Sequence, residues 1–441
     1  MKRIYLTLLI LSCYTITYPQ ERYTLRQCIE TGLEYNYSIR IIRNEEQITR
    51  NNAIPGNAGY LPSIDLSGGL SGSLYNYNNN YADGTSEKIN NNNTETANIG
   101  INLNWTVFDG FGIQANYARL KELQQMGELN TRISIEDLIA NIAGVYYNLI
   151  RQKIRLQNLQ STVNLSKERL RIVEARYDIG ADSRLEFQQA KVDFNADSSR
   201  LISQLETVYA SSVQLRTLMA SNPDIPIQIS DSLINFNPLL NKDELWQDIL
   251  LNNTSLLISQ KNKTLSEIDY KRVVSRNYPY IRLNGGYGYN SNWYSTGNPD
   301  LQQRLGLNYG LTIGFTLFDG FNRRREQRNA QIQIQNSDLR MQNMELSLQA
   351  DFANLWMAYQ NNLELWTLEK ENLIVAYENH TIAMERYRLG ELSGIQLREA
   401  QNALLEAEER RSISEFNTKL CEISLLQLSG RILTYLYPDN E

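Results

Sequence analysis

The sequence has few of the residues that usually carry catalysis or metal binding. Among its 441 residues are three cysteines and one histidine. Cys28 and Cys421, the two beyond the apolar N-terminus, are too few for a disulfide framework and are the wrong ligand set for a metal site. We interpret His380 as a solvent-exposed helix residue. With no phosphate loop, nucleophile elbow or His-based dyad, we expect no catalytic residue, no metal, no cofactor and no enzyme activity.

Basic charge and long apolar runs are also missing. The formal net charge is −6, whereas nucleic-acid binding needs a basic surface that displaces phosphate counterions. We therefore expect no nucleic-acid partner. Beyond the N-terminus, no apolar run approaches the ~20 residues of a membrane-spanning helix. If the chain crosses a membrane, it must do so as a β-barrel, because only helices and closed barrels pair every backbone polar group.

The N-terminus resembles a secretory signal. Lys2 and Arg3 precede an apolar stretch that ends near Cys13 and is too short to span a bilayer. This pattern predicts a signal peptide over residues 1–19. Lipidation of Cys13 is the alternative, because the three residues before it loosely resemble a lipoprotein signal.

The chain contains an internal duplication. Three segments occur twice in the same order, and the pairs are Pro62–Ile64 with Pro279–Ile281, Thr106–Phe111 with Thr316–Phe321, and Arg176–Gly180 with Arg386–Gly390. The second and third pairs are both separated by 210 residues, and the first pair by 217. Two motifs that keep one register over such a distance indicate two copies of one unit.

Four segments alternate apolar and polar residues with period 2, over residues 64–74, 97–107, 281–289 and 305–317. This alternation predicts strands with one apolar face. The other face is rich in Asn, Gly, Ser and Thr, as in a barrel lumen. Each run is long enough to cross a bilayer as a tilted strand of ~9–11 residues. We predict polar loops between the paired strands, over residues 75–96 and 290–304.

The rest of the chain is predicted to be helical. Two long helices are expected over residues 111–177 and 321–387, each on the order of 100 Å at 1.5 Å per residue. Shorter helices are expected over residues 184–221, 394–430, 24–52 and 242–276. Two short helices end to end match one long helix, as a helical tube requires.

These predictions define the domains. The helical parts span residues 20–61, 110–222, 241–278 and 320–430, the strands span 62–109 and 279–319, and linkers span 223–240 and 431–441. Four strands do not close a barrel, and an open sheet edge cannot face lipid. The predicted fold class is therefore an α+β membrane protein in which three subunits complete a 12-stranded β-barrel continuous with a long α-helical barrel. A periplasmic coiled-coil scaffold or adhesin without a pore is the alternative.

Three pairs of residues are predicted to shape the backbone, and they are Pro62 with Pro279, Asp109 with Asp319, and Gly180 with Gly390. The prolines suit the first position of a strand, where the missing N–H is tolerated. The aspartates are candidate helix N-caps. The glycines are expected to end the long helices in a left-handed conformation.

Together these motifs resemble the TolC-like outer-membrane efflux protein family, also called outer membrane factors, over essentially the whole mature chain. Leu61-Pro62-Ser63, the two Phe-Asp-Gly-Phe segments and the two Arg-Tyr-x-x-Gly turns carry the resemblance. It implies a homotrimer in the bacterial outer membrane with a large periplasmic extension. It further implies a periplasmic adaptor and an inner-membrane transporter of the RND or ABC type as partners, in efflux or type I secretion.

The resemblance also places the two Gly turns at a periplasmic tip that is closed at rest. The candidate gating residues are Asp182, Arg184, Glu186, Arg388, Glu391, Gln396, Arg398 and Glu399. Glu186 and Glu399 fall on acidic family positions, whereas Gln396 replaces a second carboxylate and Leu392 stands where the best-known member of the family has a gating arginine. Arg184, Arg388 or Arg398 is expected to substitute for that arginine. The alternative is that these charges are solvated residues near helix starts.

A basic cluster of Arg323, Arg324, Arg325 and Arg328 begins the second long helix. Contact with outer-membrane lipid phosphates is one interpretation. A solvated basic helix face is the other.

Overall fold

A computed structural model describes residues 22–296 and 299–436. The predicted signal peptide and Cys13 lie outside these residues. The chain divides into two compact units. Within the described residues, the helical unit comprises residues 22–43, 131–256 and 345–436, and the sheet unit comprises residues 44–130, 257–296 and 299–344.

The sheet unit contains four antiparallel strands, β1 (Ser63–Asn80), β2 (Ser86–Phe108), β3 (Tyr280–Tyr294) and β4 (Leu301–Gly314), hydrogen-bonded in chain order. Cross-strand pairs put like residues on one face. Leu66 pairs with Ile101 on the apolar face, whereas Asn104, Asn284 and Gly310 form a row on the polar face.

The predicted polar loop over residues 75–96 is wrong. The ladder between β1 and β2 continues until Asn80 pairs with Ser86, so only five residues form the turn. The ladder is made of backbone groups, and the low strand propensity of asparagine is too weak to end it. The pairing shifts register between Tyr75 and Tyr77, and at this point the Asn91 N–H donates a hydrogen bond of 2.7 Å to the Asn76 side chain. The second predicted loop, over residues 290–304, is likewise shortened to the segment between Tyr294 and Leu301.

The fourth strand is shorter than predicted. Alternation continues to Leu317, but β4 ends at Gly314 because its partner β3 begins at Tyr280, which pairs with Gly314. Among the described residues, β4 has no strand on its other side. Period-2 alternation alone therefore does not fix where a strand at the sheet edge ends.

The helices confirm the duplicated α+β fold class. Each copy has one long helix, α1 (Gly112–Asp178) and α2 (Asn322–Arg388), both of 67 residues. Each long helix is followed by a return helix of 35 residues, α3 (Arg184–Leu218) and α4 (Gly394–Leu428). Among the helices of residues 22–296 and 299–436, none combines the length and apolar content that a membrane-spanning helix needs.

The two short helical segments are broken in the middle, which the sequence patterns did not predict. The first forms Leu25–Tyr35 and Tyr37–Asn52, and the second forms Lys242–Asn252 and Thr254–Ser275. The breaks fall at Asn36 and Asn253, again 217 residues apart. Each asparagine side chain accepts a hydrogen bond from the backbone N–H three residues further along the chain. The same side chain donates a hydrogen bond of 2.9 Å to the last carbonyl of a return helix, that of Leu218 for Asn36 and that of Leu428 for Asn253.

The helical unit has a contiguous apolar core around Ile29, Ile139, Leu149 and Leu215. Two-residue strands, Arg22–Tyr23 and Gln228–Ile229, pair in parallel beside it. The Tyr146 hydroxyl donates to Asp231 at 2.8 Å, which fixes the linker to α1. Two further short helices span Pro55–Ala58, in the sheet unit, and Ile432–Tyr435.

The interpretation of His380 as solvent-exposed is wrong. Its side chain is 8% exposed, and its Nε2 has no hydrogen-bond partner among the described residues. Burial lowers the pKa of His380. The residue equivalent in the first copy is Leu170, part of an apolar cluster. The polar neighbours along the sequence concealed this face of α2.

Candidate functional site at the two helical turns

Both long helices end in the same hydrogen-bonded turn. Gly180 and Gly390 adopt left-handed φ angles of 76° and 80°. The N–H of the following residue reaches five residues back, from Ala181 to the Arg176 carbonyl at 2.8 Å and from Glu391 to the Arg386 carbonyl at 2.9 Å. This Schellman geometry needs a residue without a Cβ penalty at the left-handed position. The glycines thus reverse the chain within a few residues.

Each return helix then begins with a capping box. Ser183 and Ser393 accept a hydrogen bond from the N–H of Glu186 and of Gln396, at 3.2 and 3.3 Å. In return, the side chains of Glu186 and Gln396 accept from the serine N–H groups at 3.2 Å. These reciprocal bonds satisfy N–H groups that a helix start leaves free. Glu186 and Gln396 therefore share one local role.

The turns share a small apolar cluster. Its buried members are Val173, Ala190, Ala383, Met384, Tyr387, Leu397 and Ala400. Leu392, at the position where the resemblance implies an arginine, packs against this cluster and is half-buried. Tyr387 is 4% exposed, and the Arg176 guanidinium lies 5.5 Å from its ring centroid. The two turns are thus held together by apolar contacts as well as charge.

A buried ion pair joins the two return helices. Asp197 is fully buried, and its carboxylate accepts two hydrogen bonds from Arg398, at 2.6 and 2.8 Å. The Ser166 hydroxyl donates to the same carboxylate. Burial would raise the pKa of Asp197, but the hydrogen bonds from Arg398 and Ser166, with the charges of Arg398 and Arg200, hold it below its usual range.

A second buried pair lies nearby. Arg169 is 4% exposed and donates to Asp193 at 2.8 Å. Gly394 lies against it, since a Cβ there would sit 3.0 Å from Arg169 Nη2. The sequence patterns identified neither Asp193 nor Asp197. The buried positions of this return helix, α3, are mostly polar, with Asp197, Gln204 and Ser211 among them, so an apolar pattern gave no signal.

The structure brings only some of the predicted tip residues together. Arg398 pairs with Asp197, and Glu391 lies 3.6 Å from Arg386 in an exposed pair. Arg184, Arg388, Glu186 and Glu399 are exposed and make no ion pair among the described residues, and Asp182 is half-buried with none either. No arginine is placed against Glu186 or Glu399 within this part of the chain.

The backbone-shaping residues lie at the strand and helix starts. Pro62 and Pro279 directly precede β1 and β3. The carboxylates of Asp109 and Asp319 each accept a hydrogen bond of 2.9 Å from the backbone N–H four residues further along the chain, which lies in the first turn of α1 or α2. Both therefore cap a long helix from just before its first turn.

The basic cluster is partly neutralised. Arg323 pairs with Asp319 at 3.1 Å, and Arg325 lies 3.9 Å from Glu326. Arg324 is placed 5.7 Å from the centroid of the Phe321 ring.

Duplicated long helices with antiparallel strands between them, and a closed turn at each helix end, define the fold of outer-membrane efflux channels. A sequence profile described as "Outer membrane efflux protein" matches residues 29–221 and 245–431. The chain therefore belongs to the outer membrane efflux protein family, and its location is the outer membrane with a large periplasmic part.

Known proteins are similar to it over different lengths. The outer membrane protein TolC of Vibrio cholerae is 28% identical over 158 residues, which cover 34% of this chain and 33% of that protein. The Campylobacter jejuni CmeC outer membrane channel superposes with a TM-score of 0.76 at 17% identity, covering 92% of this chain and 85% of that one. The Neisseria gonorrhoeae MtrE outer membrane channel, in its open state, gives 0.73 at 15%, covering 92% and 89%. These superpositions show that this chain and the two channels share one fold.

Proposed function

We propose that three copies of this chain form a passive channel through the outer membrane. Their twelve strands close a barrel, and their helices form a tunnel in the periplasm. An inner-membrane pump of the RND or ABC type delivers substrates through a periplasmic adaptor, and the channel conducts them out without chemistry of its own.

The open edges of the sheet carry this proposal. Within the described residues, β1 and β4 each have a strand partner on one side only. The apolar face is solvent-exposed in the single chain, with Leu66 73%, Leu70 80% and Leu307 69% exposed. An exposed apolar face suits lipid, and unpaired edges in lipid cost several kcal/mol per backbone group, so they require closure by further copies.

The buried pair at the turns supports a gate. Arg398 and Asp197 connect the two copies close to the helix ends, where the tunnel would narrow. Breaking the pair would free the two helical hairpins to separate. Glu399 is exposed and makes no ion pair within the described part of the chain, and the Glu186 side chain is bound in its own capping box. We therefore assign cation attraction at the tip to Glu399 more than to Glu186.

The trimeric channel is tested by two measurements, the mass of the extracted protein and its conductance. Detergent-extracted protein should have the mass of a trimer and should give discrete currents in planar lipid bilayers. A monomer that inserts in no bilayer would support a scaffold or adhesin without a pore.

The tip assignment is tested in the same bilayers. Glu399→Ala should reduce the preference for cations, and Glu186→Ala should reduce it less. Currents and selectivity unaltered by Glu399→Ala would refute the assignment.

A further inference from the structure

Asp65 and Arg282 occupy the same position in the two copies of the repeat. Asp65 follows Pro62 by three residues, and Arg282 follows Pro279 by three residues. Both lie at the start of a strand, three positions into β1 and β3. The duplication thus places opposite charges at one depth of the sheet.

Both side chains belong to the polar face. Asp65 pairs across the ladder with Asn102, and Arg282 pairs with Thr106 on one side and with Thr312 on the other. Because directly paired residues share a face, each charge stands among uncharged polar groups. Both residues are solvent-exposed in the chain.

Arg282 differs from the arginines around it. It lines a cavity of about 890 Å³ together with Arg272, Arg276 and Arg323. Each of those three has a carboxylate partner at 2.6–3.1 Å. Arg282 has no ion pair among the described residues, and its guanidinium stacks over the Tyr280 ring at 4.6 Å. Its positive charge therefore remains available to ions in the lumen.

Asp65 is equally free of a counter-charge. The Ser63 hydroxyl contacts its carboxylate at 3.3 Å, and no cation pairs with it among the described residues. It lines a separate cavity whose other members are Asn, Leu and Gly residues. A hydroxyl contact leaves the negative charge in place.

We propose that Asp65 and Arg282 form a ring of alternating charge at the end of the barrel where β1 and β3 begin, and that this ring sets the charge selectivity of the barrel, separately from the cation preference assigned above to the tip. The proposal rests on the trimeric channel proposed above. In a closed barrel with the strand order β1-β2-β3-β4 repeated three times, Asp65 falls on every β1 and Arg282 on every β3.

A ring with equal numbers of both charges has no net charge, and one strand lies between neighbouring members, which are therefore ~10 Å apart. Such a ring favours neither sign and suits neutral or zwitterionic solutes. Removing one member of the pair leaves three like charges around the lumen. One unit charge at ~10 Å in water changes local ion concentration by about twofold, so the remaining sign should dominate.

The test measures the ratio of K⁺ to Cl⁻ permeability from reversal potentials in planar bilayers, under a salt gradient near 0.1 M where screening extends over ~10 Å. Arg282→Gln should raise the ratio about twofold or more, and Asp65→Asn should lower it by a similar factor. Both shifts should shrink at 1 M salt, where the screening length is about 3 Å.

Two variants control for structural damage. Arg282→Lys keeps the charge and should keep the wild-type ratio. The exchange of both residues, Asp65→Arg with Arg282→Asp, keeps three charges of each sign and should restore the ratio. Conducting channels whose ratio is unmoved by both neutral variants, or moved by both in one direction, would overturn the ring. A wild-type chain that never conducts would overturn the channel itself.

Discussion

The two copies of the repeat keep the same backbone and differ in the side chains placed on it. Each has a 67-residue helix, a Schellman turn, a serine capping box and a 35-residue return helix. Yet Asp197 in the first copy corresponds to Ala407 in the second, and Leu170 corresponds to His380. Residues that fix where elements begin and end are the same in both copies, whereas these two positions, which face the other copy, differ.

This difference makes the contact between the two return helices asymmetric. The buried pair of Asp197 and Arg398 joins the first return helix to the second, and no reciprocal pair is available, because Gln188 stands at the position equivalent to Arg398. A single substitution therefore removes this contact, since the equivalent positions hold Gln188 and Ala407. The predictions below exploit the asymmetry between copies.

Asp197→Ala should have the largest effect. It leaves Arg398 partly buried without its partner, and breaking a buried pair costs about 3–5 kcal/mol. We expect a lower thermal midpoint and longer open times in bilayers. The double variant Asp197→Leu with Arg398→Met separates the two effects, since an apolar pair restores stability without the ionic connection. Open times that return to wild type in this double variant would contradict a gating role.

Much of this architecture follows from sequence periodicity. The helix lengths were predictable because two motifs keep the same offset between the copies. The turns were predictable because glycine is needed at a left-handed position.

The helix break at Asn36 was not predictable from the sequence. An asparagine that caps a helix and also binds the Leu218 carbonyl looks, in sequence, like any polar helix residue. The pair of Asp197 with Arg398 was missed for a similar reason, because the partners are 201 residues apart and only packing brings them together.

Asn36→Ala and Asn253→Ala should each cost about 1 kcal/mol, the usual effect of losing a helix cap. Both also lose the bond to a return-helix carbonyl, so the two variants should be equally destabilised. Denaturant unfolding of each single variant would measure the cost. If one variant loses stability and the other does not, the two asparagines contribute differently to the free energy of unfolding despite their equivalent hydrogen bonds.

His380→Leu, which installs the residue of the first copy, should remove a sensitivity to acid. Burial lowers the pKa of His380 in the folded chain. The stability contributed by neutral His380 is therefore fully present above its unfolded pKa near 6.5 and is lost as pH falls through the lower folded value. Asp197 does not explain a loss in this range, because its pKa is held below the usual range of an aspartate, which itself lies below pH 5. Thermal midpoints from pH 7.5 to 5 should fall for the wild type and fall less for the variant. Parallel curves would rule out His380 as the source.

Glu186→Gln should have the smallest effect, because the second copy already uses Gln396 in the same capping box. The amide keeps the hydrogen bonds and loses only the favourable charge at a helix N-terminus, worth about 0.3–1 kcal/mol where exposed. Unfolding should therefore change little. Glu186→Ala also loses the bond to the Ser183 N–H and should cost more. If Glu186→Gln nevertheless alters cation selectivity as strongly as Glu399→Ala, the carboxylate serves the pore as well as the helix, and the two copies differ at the tip by function and not only by residue.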